Sequence, residues 1–338
     1  MCRTPPEPAG SRRRRPCISP TACSPSAVPP PAPSWTLLAT RRLPTPTWDC
    51  RALSERLRLP AGSILEPIPA GAWIRPESAE QDLAPLRARL INQLHPDPQA
   101  PHLVIGAPGA EPVPATDVRT LFARLPESTR RRALFDLLQC FEDQPGEPGQ
   151  VLADVLKTRI AADEGVLLAV PGPDGVEERT LTANGQLRWS PFATHFAYQP
   201  RPPEGEATAP FPARYRAPFD GLIEIGPGQY RLGSYAVLEL TRSGLWLRPP
   251  TPDPATRQAR AVPRDPSSAK LLFSASNADE AALLAQLARE AHGRLTSDAR
   301  QASRILPFPP AGRLPGRPTG KPDAEAVDAA PVPAVPVN

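Results

Sequence analysis

One cysteine stands apart from the other four. Cys2, Cys17, Cys23 and Cys50 fall in an irregular N-terminal stretch, whereas Cys140 closes the apolar run Ala133 to Cys140, which reads as a strand. A thiol at a strand end is where an α/β cysteine hydrolase of caspase-like type presents its nucleophile, and such a thiol needs an imidazole within hydrogen-bond reach. His102 begins its own strand rather than ending it, so its ring should lie about one strand length from Cys140. That favours a buried apolar thiol and leaves Cys140 as the sole catalytic candidate. His95 and His195 have no carboxylate or second ligand at metal spacing and His292 ends a helix, where its charge suits the dipole; all three read as surface or capping residues. No C-x2-C spacing joins the cysteines, so neither a metal site nor a cofactor is expected. Gly106-Ala107-Pro108-Gly109 follows a strand, but Pro108 and Pro112 remove the backbone donors that a phosphate cradle requires, and Gly320-Lys321-Pro322 lacks the rest of a Walker motif. Glu177-Glu178 and Asp163-Glu164 are adjacent pairs whose side chains would point apart on a strand, so they read as solvated charge.

A second set of residues recurs. Ser63 to Pro76 reads SILEPIPAGAWIRP and Ala236 to Pro249 reads AVLELTRSGLWLRP, sharing Leu65/Leu238, Glu66/Glu239, Gly71/Gly244, Trp73/Trp246, Arg75/Arg248 and Pro76/Pro249. Further on, HPDPQAPHLVIGA (His95 to Ala107) answers PRDPSSAKLLFSA (Pro263 to Ala275). The pattern reads as a module used twice. In a strand, residues i and i+2 share a face, so each arginine can stack on its tryptophan or pair with Glu66 or Glu239. These motif residues, Gly71, Trp73, Arg75, Gly244, Trp246 and Arg248, read as structural.

The elements that must carry these residues follow from periodicity. Asp82 to Leu94 is helical with Pro85 in its first turn. Leu103 to Ile105 is a strand, and Thr116 to Leu125 is a helix with Thr116 or Asp117 as its cap. Ala133 to Cys140 gives the next strand, Gly149 to Lys157 a helix and Val166 to Val170 a third strand. Apolar strands between amphipathic helices imply a small three-layer parallel sheet. Arg179 to Trp189 alternates around Asn184-Gly185, predicting a type I′ hairpin at the sheet edge with Leu181, Leu187 and Trp189 inward. LIEIG, QYRLG, YAVLELTR and LWLRP then form a β-meander. It is followed by a strand over Lys270 to Ser274, a helix over Asp279 to His292 capped by Asn277, and a last strand over Ile305 to Phe308. That last strand reads as the counterpart of Leu137 to Phe141, with Pro307 in the place of Cys140. The second copy is thus truncated.

Composition sets the frame. The 338 residues include 51 prolines, 5% aromatics and one methionine. The expected organisation is a disordered Pro/Arg-rich tail over 1–60, with a short helix allowed over Cys50 to Arg58, and an α/β first copy over 61–200. A Pro-rich linker over 201–218, a meander with a partial second copy over 219–308, and a disordered tail over 309–338 complete it. The formal charge of +4 is concentrated in the first sixty residues, which hold ten Lys/Arg against three Asp/Glu. The folded part is therefore slightly acidic, which argues against a nucleic-acid partner and leaves the Arg12-Arg13-Arg14-Arg15 run as the only polyanion-binding candidate. No membrane span or signal peptide is read, so the default location is cytoplasmic, with signal-independent export open.

PFDGLIEIGPGQYRLGSYAVLELTRSGLWLRPP with DPSSAKLLFSAS, and GQVLADVLK with ERTLTANGQLRWSPF, resemble the repeated segments of very large actinobacterial proteins carrying the so-called lonely Cys domain, a group associated with polymorphic toxin systems. The resemblance covers Ser63 to Phe308 and makes Cys140 the match for the named cysteine. The surrounding LLQCFEDQPG departs from the small, Thr/Gly-containing context of a working nucleophile. It implies a module of a larger array. The expected function is a non-enzymatic interaction or scaffold role toward an unknown protein partner. The alternatives are a hydrolase using Cys140 and polyanion binding by the Arg12 to Arg15 tail.

Overall fold

Short apolar strands cannot shield both faces of a sheet by themselves, and the helices between them are apolar along one side; packing the two together gives an α/β fold. The computed structural model describes residues 50–77, 80–141, 146–172, 175–251, 255–265 and 267–308. Cys2, Cys17, Cys23, the Arg12 to Arg15 run, most of the 1–60 tail and the whole 309–338 tail lie outside the described residues.

The first half runs α1 (Cys50–Arg56), β1 (Ile64–Ile68), β2 (Gly71–Arg75), α2 (Glu80–Asn92), β3 (His102–Ile105), α3 (Ala115–Arg124), α4 (Glu127–Arg130), β4 (Leu134–Leu137), α5 (Pro148–Leu156) and β5 (Ile160–Asp163). It continues through β6 (Val166–Gly172), β7 (Gly175–Leu181), β8 (Leu187–Arg188), β9 (Ala193–Tyr198) and β10 (Phe211–Tyr215). A seven-stranded sheet has the order β1-β2-β3-β4-β5-β9-β10. Its four central strands, β2 to β5, are parallel, and antiparallel strands flank them on both sides.

The α/β class agrees with the sequence, but several elements differ from expectation. The third parallel strand is Ile160–Asp163, not Val166 to Val170; the latter opens a separate three-stranded antiparallel sheet, β6-β7-β8. The Asn184-Gly185 hairpin belongs to that small sheet and edges no parallel strand. Its turn is not type I′: three residues, Ala183 to Gly185, lie between the hydrogen-bonded Thr182 and Gln186, Gly185 lies at φ +77° and Asn184 is not at positive φ. The Gly185 N–H donates to the Thr182 carbonyl and the Thr182 N–H to the Gln186 carbonyl, as in a hairpin whose glycine forms a bulge. Leu181 is buried, but Leu187 is exposed because β8 is an edge strand. Helix α3 starts at Ala115 after Pro114, so neither Thr116 nor Asp117 caps it. Pro85 sits in the second turn of α2 and forfeits one backbone bond there. Within the stretch read as a linker, Phe211–Tyr215 forms edge strand β10, where Pro212 is tolerated because an edge strand has one unpaired side.

The second half runs β11 (Ile223–Gly226), β12 (Gln229–Leu232), β13 (Ala236–Thr241), β14 (Gly244–Arg248), α6 (Ala255–Ala261), β15 (Ala269–Phe273), α7 (Ala278–Gly293), α8 (Ser297–Gln301) and β16 (Ser303–Pro307). These strands form one six-stranded sheet in sequence order. From β13 onward the element order is that of β1 to β4: an antiparallel hairpin, a helix, a parallel strand, a helix followed by a short helix, and another parallel strand. Pairing fixes the correspondence. Ile74, Ile105 and Leu137 lie abreast in one sheet, as Leu247, Phe273 and Pro307 do in the other. Pro307 therefore corresponds to Leu137 and not to Cys140, three residues from where the apolar runs alone had placed it.

One apolar cluster joins the halves. It takes Ile74, Leu103, Phe135 and Leu152 from the first and Leu238, Leu247, Leu271 and Leu284 from the second. Charged contacts add to it. Arg242, at the β13–β14 turn, pairs with Glu147 and Glu164, and Arg264 pairs with Asp163. No helix among the described residues is long and apolar enough to cross a membrane.

Candidate functional site

Alternation along a strand puts His102 and Val104 of β3 on one face of the seven-stranded sheet and Leu103 and Ile105 on the other. Val104, Trp73 and Leu138 share their cluster with Leu90 of α2 and with Val166, Leu168 and Leu181 of the small sheet, so that sheet and α2 cover this face. Across it runs a row of neighbouring residues, Trp73, Val104, Asp136 and Asp163, contributed by β2, β3, β4 and β5 in turn. His195, on β9 beside β5, extends it. An apolar face thus carries a buried polar group where His102, Asp136 and His195 meet, with 8%, 0% and 2% of their surfaces exposed.

Asp136 stands between the two imidazoles. His102 Nδ1 lies 2.7 Å from Oδ2, and because a carboxylate only accepts, the Nδ1–H donates. His195 Nε2 lies 3.3 Å from Oδ1, but neither of these two atoms has a hydrogen-bond partner among the described residues. The rings meet edge-on, 6.0 Å between centroids. Burial alone would raise the Asp136 carboxyl, yet charge interaction and hydrogen bonding with His102, with a further charge interaction from His195, outweigh it and hold the group at about 2. Asp163, directly across from Asp136, is also buried; burial raises its carboxyl against the pull of Arg264, and its Oδ2 has no partner among the described residues. His102 and His195 also line a cavity of about 880 Å³, with His95, Asp97, Glu178 and Arg214 around it.

These contacts correct two expectations. His195 is a core residue facing a carboxylate, not a surface residue, and Asp163 is buried at the end of β5, not solvated. Spacing could not disclose them, since 34 residues separate His102 from Asp136 and 59 separate Asp136 from His195. The available signal was a histidine or aspartate carried by each short, mostly apolar strand: HLVI, LFDL and ATHFAY.

Cys140 lies elsewhere, past the C-terminal end of β4, in a bridge to Val113. It lines a cavity of about 410 Å³ with Glu164, Thr182, Asn184 and Arg264, and no histidine is among the lining residues described. Burial, reinforced by the negative charge of Glu164, pushes the thiol up to about 12. A nucleophilic cysteine requires the opposite shift. The Gly106 loop turns inward as well, because its Gly106 carbonyl accepts the Trp73 indole N–H at 2.9 Å.

The recurring residues build matching structural clusters. Arg75 donates to Glu66 at 2.8 Å and stacks 5.5 Å from the Trp73 ring centroid; Arg248 donates to Glu239 at 3.0 Å and stacks 5.5 Å from Trp246. Each glutamate receives a second arginine twenty-one residues further on, Arg87 from α2 and Arg260 from α6. Both tryptophans are fully buried. Gly71 and Gly244 let β2 and β14 approach the neighbouring backbones at His102 and Lys270. The polar site does not recur: the positions of His102 and Asp136 are Lys270 and Leu306 in the second half. Compared with protein-family models, curated proteins and solved structures, the chain finds no match.

Proposed function

We propose that this chain is a non-enzymatic interaction module, built on one unit used twice, that receives a partner strand along β11. The observation that carries this reading is the free edge of the six-stranded sheet. Among the described residues β11 is paired only with β12, and Ile223 and Ile225 on it are 64% and 45% exposed, with Tyr235 at 69% in the turn after β12. An open edge with large apolar side chains invites strand addition, and the one charge on β11, Glu224, is held by the Tyr215 hydroxyl and the Gly228 N–H. Two further observations support it. What the halves have in common is the buried Glu–Arg–Arg–Trp framework, which leaves no group free for chemistry, and the Cys140 thiol keeps its proton at neutral pH. The resemblance to repeated segments of large toxin-associated proteins favours a place within a longer array.

Selection of extended peptides against the full chain from a random displayed library tests this. Peptides that bind should slow hydrogen exchange of the amides of residues 223–226 and should lose binding to the Ile223→Lys/Ile225→Lys double variant. Peptides that bind the double variant equally well, or that protect a different element, overturn the proposal.

A further inference from the structure

We propose that His102, Asp136 and His195 form a binding site for one divalent first-row transition ion, with its remaining coordination position open to the adjoining cavity. Three features of the site carry this, independently of the interaction reading above. First, two imidazoles and one carboxylate converge so that all three ligand atoms lie within 4.8 Å of one another. Metal–ligand bonds of about 2.0–2.2 Å set neighbouring ligand atoms roughly 3 Å apart, and the two N···O separations here are 2.7 and 3.3 Å. Second, Asp136 Oδ1 and His195 Nε2 face each other, buried and without hydrogen-bond partners among the described residues. Unpaired polar atoms in a core cost free energy unless something satisfies them, and one cation between the two would satisfy both. Third, Asp136 and Asp163 stand abreast on adjacent strands, while Arg264 reaches Asp163 alone. Asp136 therefore has only the two imidazoles as partners among the described residues, and a cation held between them offsets its charge.

The donor set narrows the ion. Neutral imidazole with carboxylate suits Zn2+, Co2+, Fe2+ or Ni2+, whereas Mg2+ and Ca2+ prefer oxygen-only cages. On binding, the Nδ1 proton that His102 donates to Asp136 must leave or pass to Nε2, so that Nδ1 can face the metal. Thr194 Oγ1, 3.4 Å from His195 Nδ1, is placed to hold the His195 ring with Nε2 inward. The second half, with lysine and leucine in the positions of His102 and Asp136, has no such site.

Titration of the chelator-treated full chain tests the proposal, with Co2+ as optical probe and Zn2+ as competitor. The expected result is one equivalent of Co2+ bound with visible d–d absorption and displaced by Zn2+. Affinity should fall at least about tenfold in His102→Ala and in His195→Ala, and should be unchanged in Cys140→Ser. Because the histidine variants remove core groups, X-ray absorption at the zinc edge of the unmodified chain gives the ligands without them. Two imidazole nitrogens and oxygen neighbours at about 2.0–2.2 Å agree with the proposal, and a sulfur shell at about 2.3 Å puts the metal on cysteines and overturns it. Failure to saturate at one equivalent, or binding that survives both histidine substitutions, also overturns it.

Discussion

Replacing Gly71 by alanine should be among the most damaging small substitutions in the chain. A Cβ at this position would lie 2.1 Å from the His102 carbonyl oxygen and 2.9 Å from its amide nitrogen, and Gly71 sits at φ +155°. The first contact is more than about 1 Å inside ordinary packing distance, and the obstacle is backbone that cannot swing aside. Either β2 and β3 separate, breaking the ladder that begins at Gly71 and His102, or the chain adopts a strained conformation. Backbone strain of about 1–2 kcal/mol plus overpacking of about 1–3 kcal/mol gives a loss of about 2–5 kcal/mol. Gly244→Ala should cost a similar amount, since its Cβ would meet the Lys270 carbonyl oxygen at 2.5 Å. Gly175→Ala is the control: φ is +126° but no heavy atom lies within 4 Å, so only the strain of about 1–2 kcal/mol applies. Urea unfolding followed by tryptophan fluorescence reads all three as shifts in midpoint at constant slope. Gly71→Ala should also weaken Co2+ binding, because it displaces His102, while Gly244→Ala should not. If Gly71→Ala costs no more than Gly175→Ala, the close approach of the strands is wrong and so is the placement of His102.

Other substitutions probe separate parts of the account. Asp117, fully buried, accepts from the Ala61 N–H at 2.8 Å and the Ser63 N–H at 3.0 Å, so Asp117→Ala should lower stability by about 2–3 kcal/mol in urea unfolding. Glu239→Gln should cost about 3–5 kcal/mol by leaving Arg248 buried without its counter-charge. Glu66→Gln should cost less, because the Glu66 carboxylate keeps more solvent contact than that of Glu239; thermal unfolding of the two variants gives the order. Cys140 makes stability depend on alkaline pH: its thiol holds its proton to about 12 in the folded chain and to about 9 when unfolded. Between those values only the unfolded chain releases the proton, so the contribution is fully present below about pH 9 and is lost as pH rises toward 12. The fall in urea midpoint between about pH 8 and about pH 10.5 should therefore be smaller in Cys140→Ser than in the unmodified chain.

Local rules read much of this fold directly from the residues. Asn277 accepts from the Glu280 N–H at the start of α7 as its position before an apolar periodic run requires, and the i, i+2 spacing put Trp73 with Arg75 and Trp246 with Arg248. Errors arose where pairing partners are distant. Ile160–Asp163 is only four residues long, and the longer apolar Val166 to Val170 next to it looked the better parallel strand, although periodicity says nothing of which sheet a strand joins. The offset between Pro307 and Cys140 has the same origin, since register is set by neighbouring strands. The His102, Asp136 and His195 group was illegible as a motif because β3, β4 and β9 bring it together only through the sheet order. Arg87 and Arg260 were discernible in principle, through their equal spacing from Glu66 and Glu239, but each arrives from a helix outside the aligned phrases.

The non-enzymatic reading turns most directly on the reactivity of Cys140. Iodoacetamide labelling of the full chain at neutral pH, mapped by peptide mass spectrometry in the native and urea-unfolded states, measures it with Cys2, Cys17 and Cys23 as internal references. The account predicts that native Cys140 reacts more slowly than unfolded Cys140, because its proton is held to about 12. A native rate faster than the unfolded rate would contradict it and return Cys140 to the role of a nucleophile.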